Sequence, residues 1–269
     1  MIQLSVNINK IATLRNARGG NVPDLIKMAQ YIENAGANGI TVHPRPDERH
    51  VRYQDVRDLK EVLRKELNVE GYPSEEFMTL VEEVKPAQIT LVPDKPEALT
   101  SNAGWDTIEN ESMLRDIVSR LKNTARVSIF VDPNPQMIEG AKKCGADRVE
   151  LYTESYSKLY TEDKNEAIAP YIVAAKAALD NELGLNAGHD LNYYNLNFFN
   201  KKIPNLLEVS IGHALICDAL EFGLKQTILI YRRCLYRSKK YINKHCLLNA
   251  EEMEQDMEEL EIDNEISDE

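Results

Sequence analysis

Ala35-Gly36-Ala37-Asn38-Gly39-Ile40-Thr41-Val42-His43 holds a helix end, a glycine stop and a strand start in one run. Cys144-Gly145-Ala146-Asp147-Arg148-Val149-Glu150-Leu151-Tyr152 repeats that pattern. A glycine after the last apolar helical position ends a helix, and the short apolar run behind it reads as a buried strand. The two copies stand four strand–helix units apart, as duplication of a half-barrel would leave them.

Working outward, the same unit recurs along the chain. The first strand alternates, with Leu4, Val6 and Ile8 on one face and Ser5, Asn7 and Asn9 on the other. Pro23-Asp24 opens a helix through Leu25, Met28, Ala29 and Ile32. A second helix is expected from Gln54 to Leu67, followed by a strand Leu67–Gly71. Ser74 is the expected N-cap of the next helix, with Glu75 and Glu76 in its first turn. Strands follow at Gln88–Val92, Arg126–Val131, Arg148–Tyr152, Gly184–Ala187 and Leu206–Ile211, trailed by apolar residues at helical spacing except after the seventh, where a Tyr- and Asn-rich segment runs from Leu191 to Asn200. Between Pro93 and Asp106 lies a longer loop, and loops of that length are often functional. A long helix is expected from Glu166 to Leu183, and a last one through Ile216, Leu224 and Leu235. Eight alternations imply parallel strands with right-handed crossovers, and in about 250 residues they point to one closed (β/α)8 TIM barrel. That is an α/β fold with extra helices, expected over 1–245, with 246–269 as an acidic tail for which disorder is the default. The rival, an open doubly wound sheet, lacks the GxGxxG after the first strand and any Walker lysine motif.

The composition bounds the function. A hydrophobic content of 43% supports a real core. The net charge of -12 sits almost wholly in the tail, where Glu251 to Glu269 hold eleven Asp or Glu and no Lys or Arg. The body is near neutral, so nothing argues for nucleic acid as a partner. The basic stretch that starts at Arg232 and Arg233 reads as a solvated helix end. The start of the sequence shows no signal-peptide pattern, and no apolar run approaches a membrane span. Four cysteines without ligand spacing read as reduced thiols, so a cytoplasmic protein is expected.

In a barrel of this kind, active sites lie at the carboxyl ends of the strands. Those ends carry Asn7, Asn9 and Lys10, then His43 and Arg45, then Glu70, Glu150, His189, and finally Gly212 and His213. Barrel layers are normally apolar, so ionisable groups on five strand ends point to an enzyme site. His and Glu can exchange protons near neutral pH. Arg18, Arg45 and the glycines near His189 and His213 offer anion-binding groups, and Gly212-His213 opening the last helix suits a phosphate. The histidines are too scattered for a metal site, and no nicotinamide or flavin fingerprint is present. The expected chemistry is cofactor-free proton transfer on phosphorylated carbonyl compounds. Two other functions stay open on these residues: a Schiff-base aldolase using Lys10, and a non-catalytic sensor of sugar phosphates.

Several blocks together resemble the pyridoxine 5'-phosphate synthase family. They are Asn7 to Gly19, Gly39 to Arg45 on to His50, Asn68-Val69-Glu70, Leu91-Val92-Pro93 with Thr100, Val149-Glu150-Leu151, Asn186-Ala187-Gly188-His189 and Ile211-Gly212-His213. The resemblance runs from about residue 1 to 240 and leaves out the acidic tail. It implies a barrel that condenses 3-amino-2-oxopropyl phosphate with 1-deoxy-D-xylulose 5-phosphate, and a homo-octamer. It also implies His43 and Glu70 as general bases, His189 as general acid, and Glu150 as a stabiliser of charge. Asn7 and Arg18 would hold the aminoketone phosphate, with Gly212 and His213 at its phosphate group. Arg45, His50 and Thr100 would hold the pentulose phosphate. The family often has Asp-His at Asn9-Lys10 and Gly at Asp190, so these three are substrate contacts only by position.

Overall fold

The computed structural model describes residues 2–94 and 103–236. Eight strands close into one parallel barrel in sequence order. They are β1 (Gln3–Asn7), β2 (Gly39–Val42), β3 (Glu66–Gly71), β4 (Gln88–Leu91), β5 (Arg126–Val131), β6 (Arg148–Tyr152), β7 (Gly184–His189) and β8 (Leu206–Ile211). Closure is made by β1 against β8, with Leu4 opposite Val209 and Val6 opposite Ile211.

The outer layer consists of α1 (Asn9–Asn16), α2 (Leu25–Asn34), α3 (Tyr53–Val62), α4 (Glu75–Val84), α5 (Glu111–Leu121) and α6 (Pro135–Lys143), followed by α7 (Glu154–Leu159), α8 (Lys164–Asp180), α9 (Leu196–Lys202), α10 (His213–Phe222) and α11 (Leu224–Leu235). Asp24 caps α2 by accepting from the Ile26 and Lys27 amides. Ser74 caps α4 by accepting from the Phe77 amide, as its position in the sequence suggests.

The repeated junction is a repeated structure. Gly36 and Gly145 both take positive φ, +107° and +87°. The next turn is then matched bond for bond. The Asn38 amide donates to the Leu4 carbonyl and its side-chain oxygen accepts from the Leu4 amide. The Asp147 amide donates to the Val127 carbonyl and its carboxylate accepts from the Val127 amide. Each half-barrel thus ties its second strand to its first with a side-chain oxygen in the same place, from an asparagine in one and an aspartate in the other.

Four details depart from the sequence reading. The polar end of the expected first strand is not strand: β1 stops at Asn7 and α1 begins at Asn9. The second expected helix stops at Val62, so β3 starts earlier, at Glu66. The last helix is two, broken at Gly223, where φ is +78°. The barrel interior is also polar rather than apolar. The apolar faces of the strands, Leu4, Val6, Ile40 and Val69 among them, are buried away from it under the helices. Inside, Ser5 and Thr41 hydroxyls bond at 2.6 Å, and Asn68 links Thr41 to Thr90. Below them Gln88 bridges Arg126, Asn186 and Glu208. Each of these contacts satisfies a group that burial would otherwise penalise.

Candidate active site

A cavity of about 680 Å³ opens at the carboxyl ends of the strands. β1 leads into it with Asn7, whose Oδ1 accepts from the Asn9 amide and whose Nδ2 donates to Glu70 Oε2 at 3.3 Å. The Asn9 carboxamide then accepts from the His43 amide at 2.9 Å, so it fixes the end of β2. Lys10, one residue into α1, is exposed and faces the cavity.

The loop after β2 brings His43, Arg45, Arg49 and His50 to one wall. The imidazoles of His43 and His50 meet edge to face at 6.3 Å. Burial, then the Arg45, His50 and Arg49 charges, hold His43 well below the usual histidine range. Burial followed by Arg45, Arg49 and Lys10 pushes His50 down to about 4. Both rings are therefore neutral at pH 7. His50 Nδ1 accepts from the Val51 amide at 2.9 Å, which leaves its Nε2 as the protonated, donating nitrogen. Arg45 is buried and pairs with buried Asp94 at 2.9 Å.

Two carboxyls form the floor. Desolvation, then the Asp94 charge, drives Glu70 up to about 8, opposed by a bond from Ser210. Glu150 is buried more deeply, and desolvation followed by Glu70 and Glu208 raises it well above the carboxylate range. Among the described residues its Oε2 has no hydrogen-bond partner. Gly188 makes room for it, since a Cβ there would lie 2.2 Å from Glu150 Oε1.

The far wall comes from β7 and β8. His189 ends β7 with its ring 4.9 Å from that of Tyr152, edge on, and its Nδ1 2.7 Å from Asp190 Oδ2. Gly212 is the N-cap of α10 and packs on Asn7, and His213 is the first residue of that helix. Both residues line the cavity, and the N-terminus of a helix suits a phosphate.

The fold thus brings most of the sequence-derived residues around one cavity. Arg18 is not among its lining residues: it is exposed in the turn beyond α1. Thr100 lies outside the described residues, as does the acidic tail. Arg49, Asp94, Glu154 and Ser210 also line the cavity and were missed by the sequence reading. The available signals were Arg49 standing next to His50, and Asp94 following the end of β4 at the same offset as Arg45 after β2. Among the described residues no three His, Cys, Asp or Glu are grouped to hold a metal ion, and no helix is long and apolar enough to cross a membrane.

Solved structures similar to this chain include phosphoribosyl anthranilate isomerase from Thermotoga maritima, at TM-score 0.54 and 14% identity over 87% of this chain and 98% of that one. A tryptophan synthase chain from M. tuberculosis matches at TM-score 0.60 and 11% identity, over 87% and 94%. Identities this low speak for the barrel fold alone. The pyridoxine 5'-phosphate synthase of Cytophaga hutchinsonii is 61% identical over 87% of this chain and 98% of its own length. That of Bacteroides fragilis is 59% identical over 87% and 100%. The family described as pyridoxal phosphate biosynthesis protein PdxJ matches residues 4–237. With a closed barrel, an ionisable cavity at its mouth and this degree of identity along the whole barrel, the chain belongs to the PdxJ family of pyridoxine 5'-phosphate synthases.

Proposed function

We propose that the cavity condenses 3-amino-2-oxopropyl phosphate with 1-deoxy-D-xylulose 5-phosphate to give pyridoxine 5'-phosphate, phosphate and water, through its own acids and bases. The observation that carries this is the separation of proton affinities around one cavity. His43 is held neutral, Glu70 is raised to about 8 and Glu150 is held well above the usual carboxylate range. Groups driven apart in this way can take and return protons in succession, as amine–carbonyl condensation, elimination and ring closure require.

In this reading His43 and Glu70 are the general bases, and His189 is the general acid from the opposite wall. Glu150 is protonated and donates a hydrogen bond where negative charge develops, which in a desolvated site is worth more than in water. The α10 N-terminus with Gly212 and His213, together with Asn7, receives the aminoketone phosphate. Arg45, His50 Nε2–H and Lys10 receive the pentulose phosphate. Holding both substrates in one cavity adds the proximity contribution. Asn9 acts through the His43 amide that it anchors. Arg18 stands off the cavity and reaches a phosphate only if the substrate extends beyond the mouth. The reading carries with it a cytoplasmic enzyme that works as a homo-octamer. The test is turnover with the two phosphorylated substrates, following phosphate release and the pyridine chromophore together. Phosphate release without the chromophore would reject the condensation.

Arg45→Lys is expected to raise KM for the pentulose phosphate by at least about 10-fold, with a smaller change in kcat. Lysine keeps the charge but loses the planar fork that reaches both Asp94 and a phosphate. Steady-state kinetics with each substrate varied in turn checks this, and unchanged constants would remove Arg45 from the site. We also take the barrel over 1–245 as the catalytic unit. Deleting 251–269 is then expected to leave kcat and both KM values within about 3-fold, because that segment is anionic throughout and would repel phosphorylated substrates at the mouth. A folded truncation that has lost its activity would overturn that division.

A further inference from the structure

Asp190 stands where substrate contact was expected, yet its carboxylate is turned on its neighbour. Oδ2 lies 2.7 Å from His189 Nδ1, and both side chains line the cavity. We propose that Asp190 is a positioning residue that holds the proton of His189 on Nδ1, so that Nε2 is the atom that gives and takes protons in the cavity. The proposal rests on the reading of His189 as the general acid.

Three features support it. First, the ring has few ways to turn. His189 sits at φ +93°, a region that non-glycine residues seldom occupy unless their surroundings impose it. Here the residue pairs with Ile211 in the sheet, and the preceding Gly188 carbonyl accepts from both the amide and the hydroxyl of Thr153. The edge-on Tyr152 ring closes a second side. Second, the contact fixes the tautomer. A carboxylate accepts only, so neutral His189 must carry its proton on Nδ1 and its lone pair on Nε2. Third, the alternative role is electrostatically poor. A carboxylate in a cavity that takes two phosphorylated substrates repels them unless its charge is engaged.

The step balances without any further reactant. Protonated His189 gives the Nε2 proton to the oxygen that departs from carbon, the C–O bond breaks and the oxygen leaves as water. His189 remains neutral in the Nδ1–H form beside Asp190. A proton removed from the substrate carbon, or one from solvent, returns to Nε2. Asp190 takes no proton in this step; it accepts the Nδ1–H bond, as in other carboxylate-oriented imidazoles.

The test joins nitrogen NMR to kinetics in the full-length enzyme labelled with ¹⁵N-histidine, the His189 signals being assigned by their loss in His189→Asn. At a pH where the ring is neutral, the expected wild-type signal is that of the Nδ1–H tautomer. In Asp190→Asn the amide can present an N–H to Nδ1 and drive the proton to Nε2. That variant is expected to show the opposite tautomer and a kcat at least about 10-fold lower, with both KM values within about 3-fold. Asp190→Glu, which restores an acceptor, is expected to recover the wild-type tautomer and part of kcat. A wild-type Nε2–H tautomer would overturn the proposal. So would an Asp190→Asn enzyme changed only in KM, the mark of a substrate contact. Wild-type turnover in His189→Asn would instead reject the general-acid reading, and the tautomer measurement separates that failure from this one.

Discussion

Glu70→Gln is expected to lower kcat by at least about 100-fold while both substrates still bind. Glutamine keeps the shape of the side chain and an oxygen for the Asn7 Nδ2–H that reaches Glu70 at 3.3 Å. It removes only the ability to take a proton. Desolvation and the Asp94 charge raise Glu70 to about 8, so at neutral pH the basic form is the minority and grows with pH. The contribution of Glu70 to wild-type kcat/KM therefore rises with pH towards a plateau above about 8, and this rise is expected to vanish in Glu70→Gln. Stability moves the other way. A carboxyl whose folded value stands above its ordinary 4.5 holds its proton more tightly folded than unfolded. Its stabilising contribution is complete below 4.5 and is lost as pH climbs through about 8. Melting curves across that window should thus be flatter for Glu70→Gln than for the wild type. Rapid mixing beside calorimetric titration separates binding from chemistry, and near-normal turnover would move the base to His43 or elsewhere.

The barrel was legible because its outward faces are. Leu4, Val6, Ile8 and their equivalents pack under helices, and the period of two that marks them survives in the sequence. The inward faces were harder. Ser5, Thr41, Asn68 and Thr90 alternate with those apolar residues just as solvent-facing positions would, and only closure of the sheet turns them into an interior. The site was legible at the strand ends, where Glu70, Glu150 and His189 have no packing reason to be. It was not legible in its supports. Asp94 lies 49 residues from the Arg45 it pairs with, and no local pattern announces such a partner. Asp190 was visible as a departure from the family, but its bond to His189 depends on a backbone turn that sequence does not show. Arg15 and Arg18 make the same point. Only Arg18 was read as an anion-binding group. Arg18 is exposed in the turn beyond α1, whereas Arg15, in the last turn of that helix, is buried.

Arg15→Met is expected to destabilise the enzyme by about 3–5 kcal/mol and to raise KM for the pentulose phosphate as well. Arg15 is 2% exposed. Its guanidinium makes a two-pronged pair with Asp55, Nη1 to Oδ1 at 2.7 Å and Nη2 to Oδ2 at 2.8 Å. Nη2 also donates to the His50 carbonyl at 3.1 Å, and Asn16 Nδ2 donates to the same carbonyl at 2.8 Å. Asp55 in turn accepts from the Arg52 amide at 2.7 Å and so caps the start of α3. One buried cation therefore joins α1, the loop that carries His43, Arg45 and His50, and α3. Methionine fills the space of the stem but leaves the Asp55 carboxylate buried with the Arg52 amide alone, and an uncompensated buried charge is the costly outcome. In a domain of this size the loss should lower the melting temperature by roughly 10 °C. Arg15→Met/Asp55→Leu removes both charges and should recover part of that temperature, whereas KM should stay high because the His50 carbonyl has still lost Arg15. Thermal melts of the two single variants and the double variant, with KM measured on each, close the cycle. A melting temperature within about 2 °C of wild type for Arg15→Met would show that Asp55 is satisfied without it, and that the loop is held in place by its own turns.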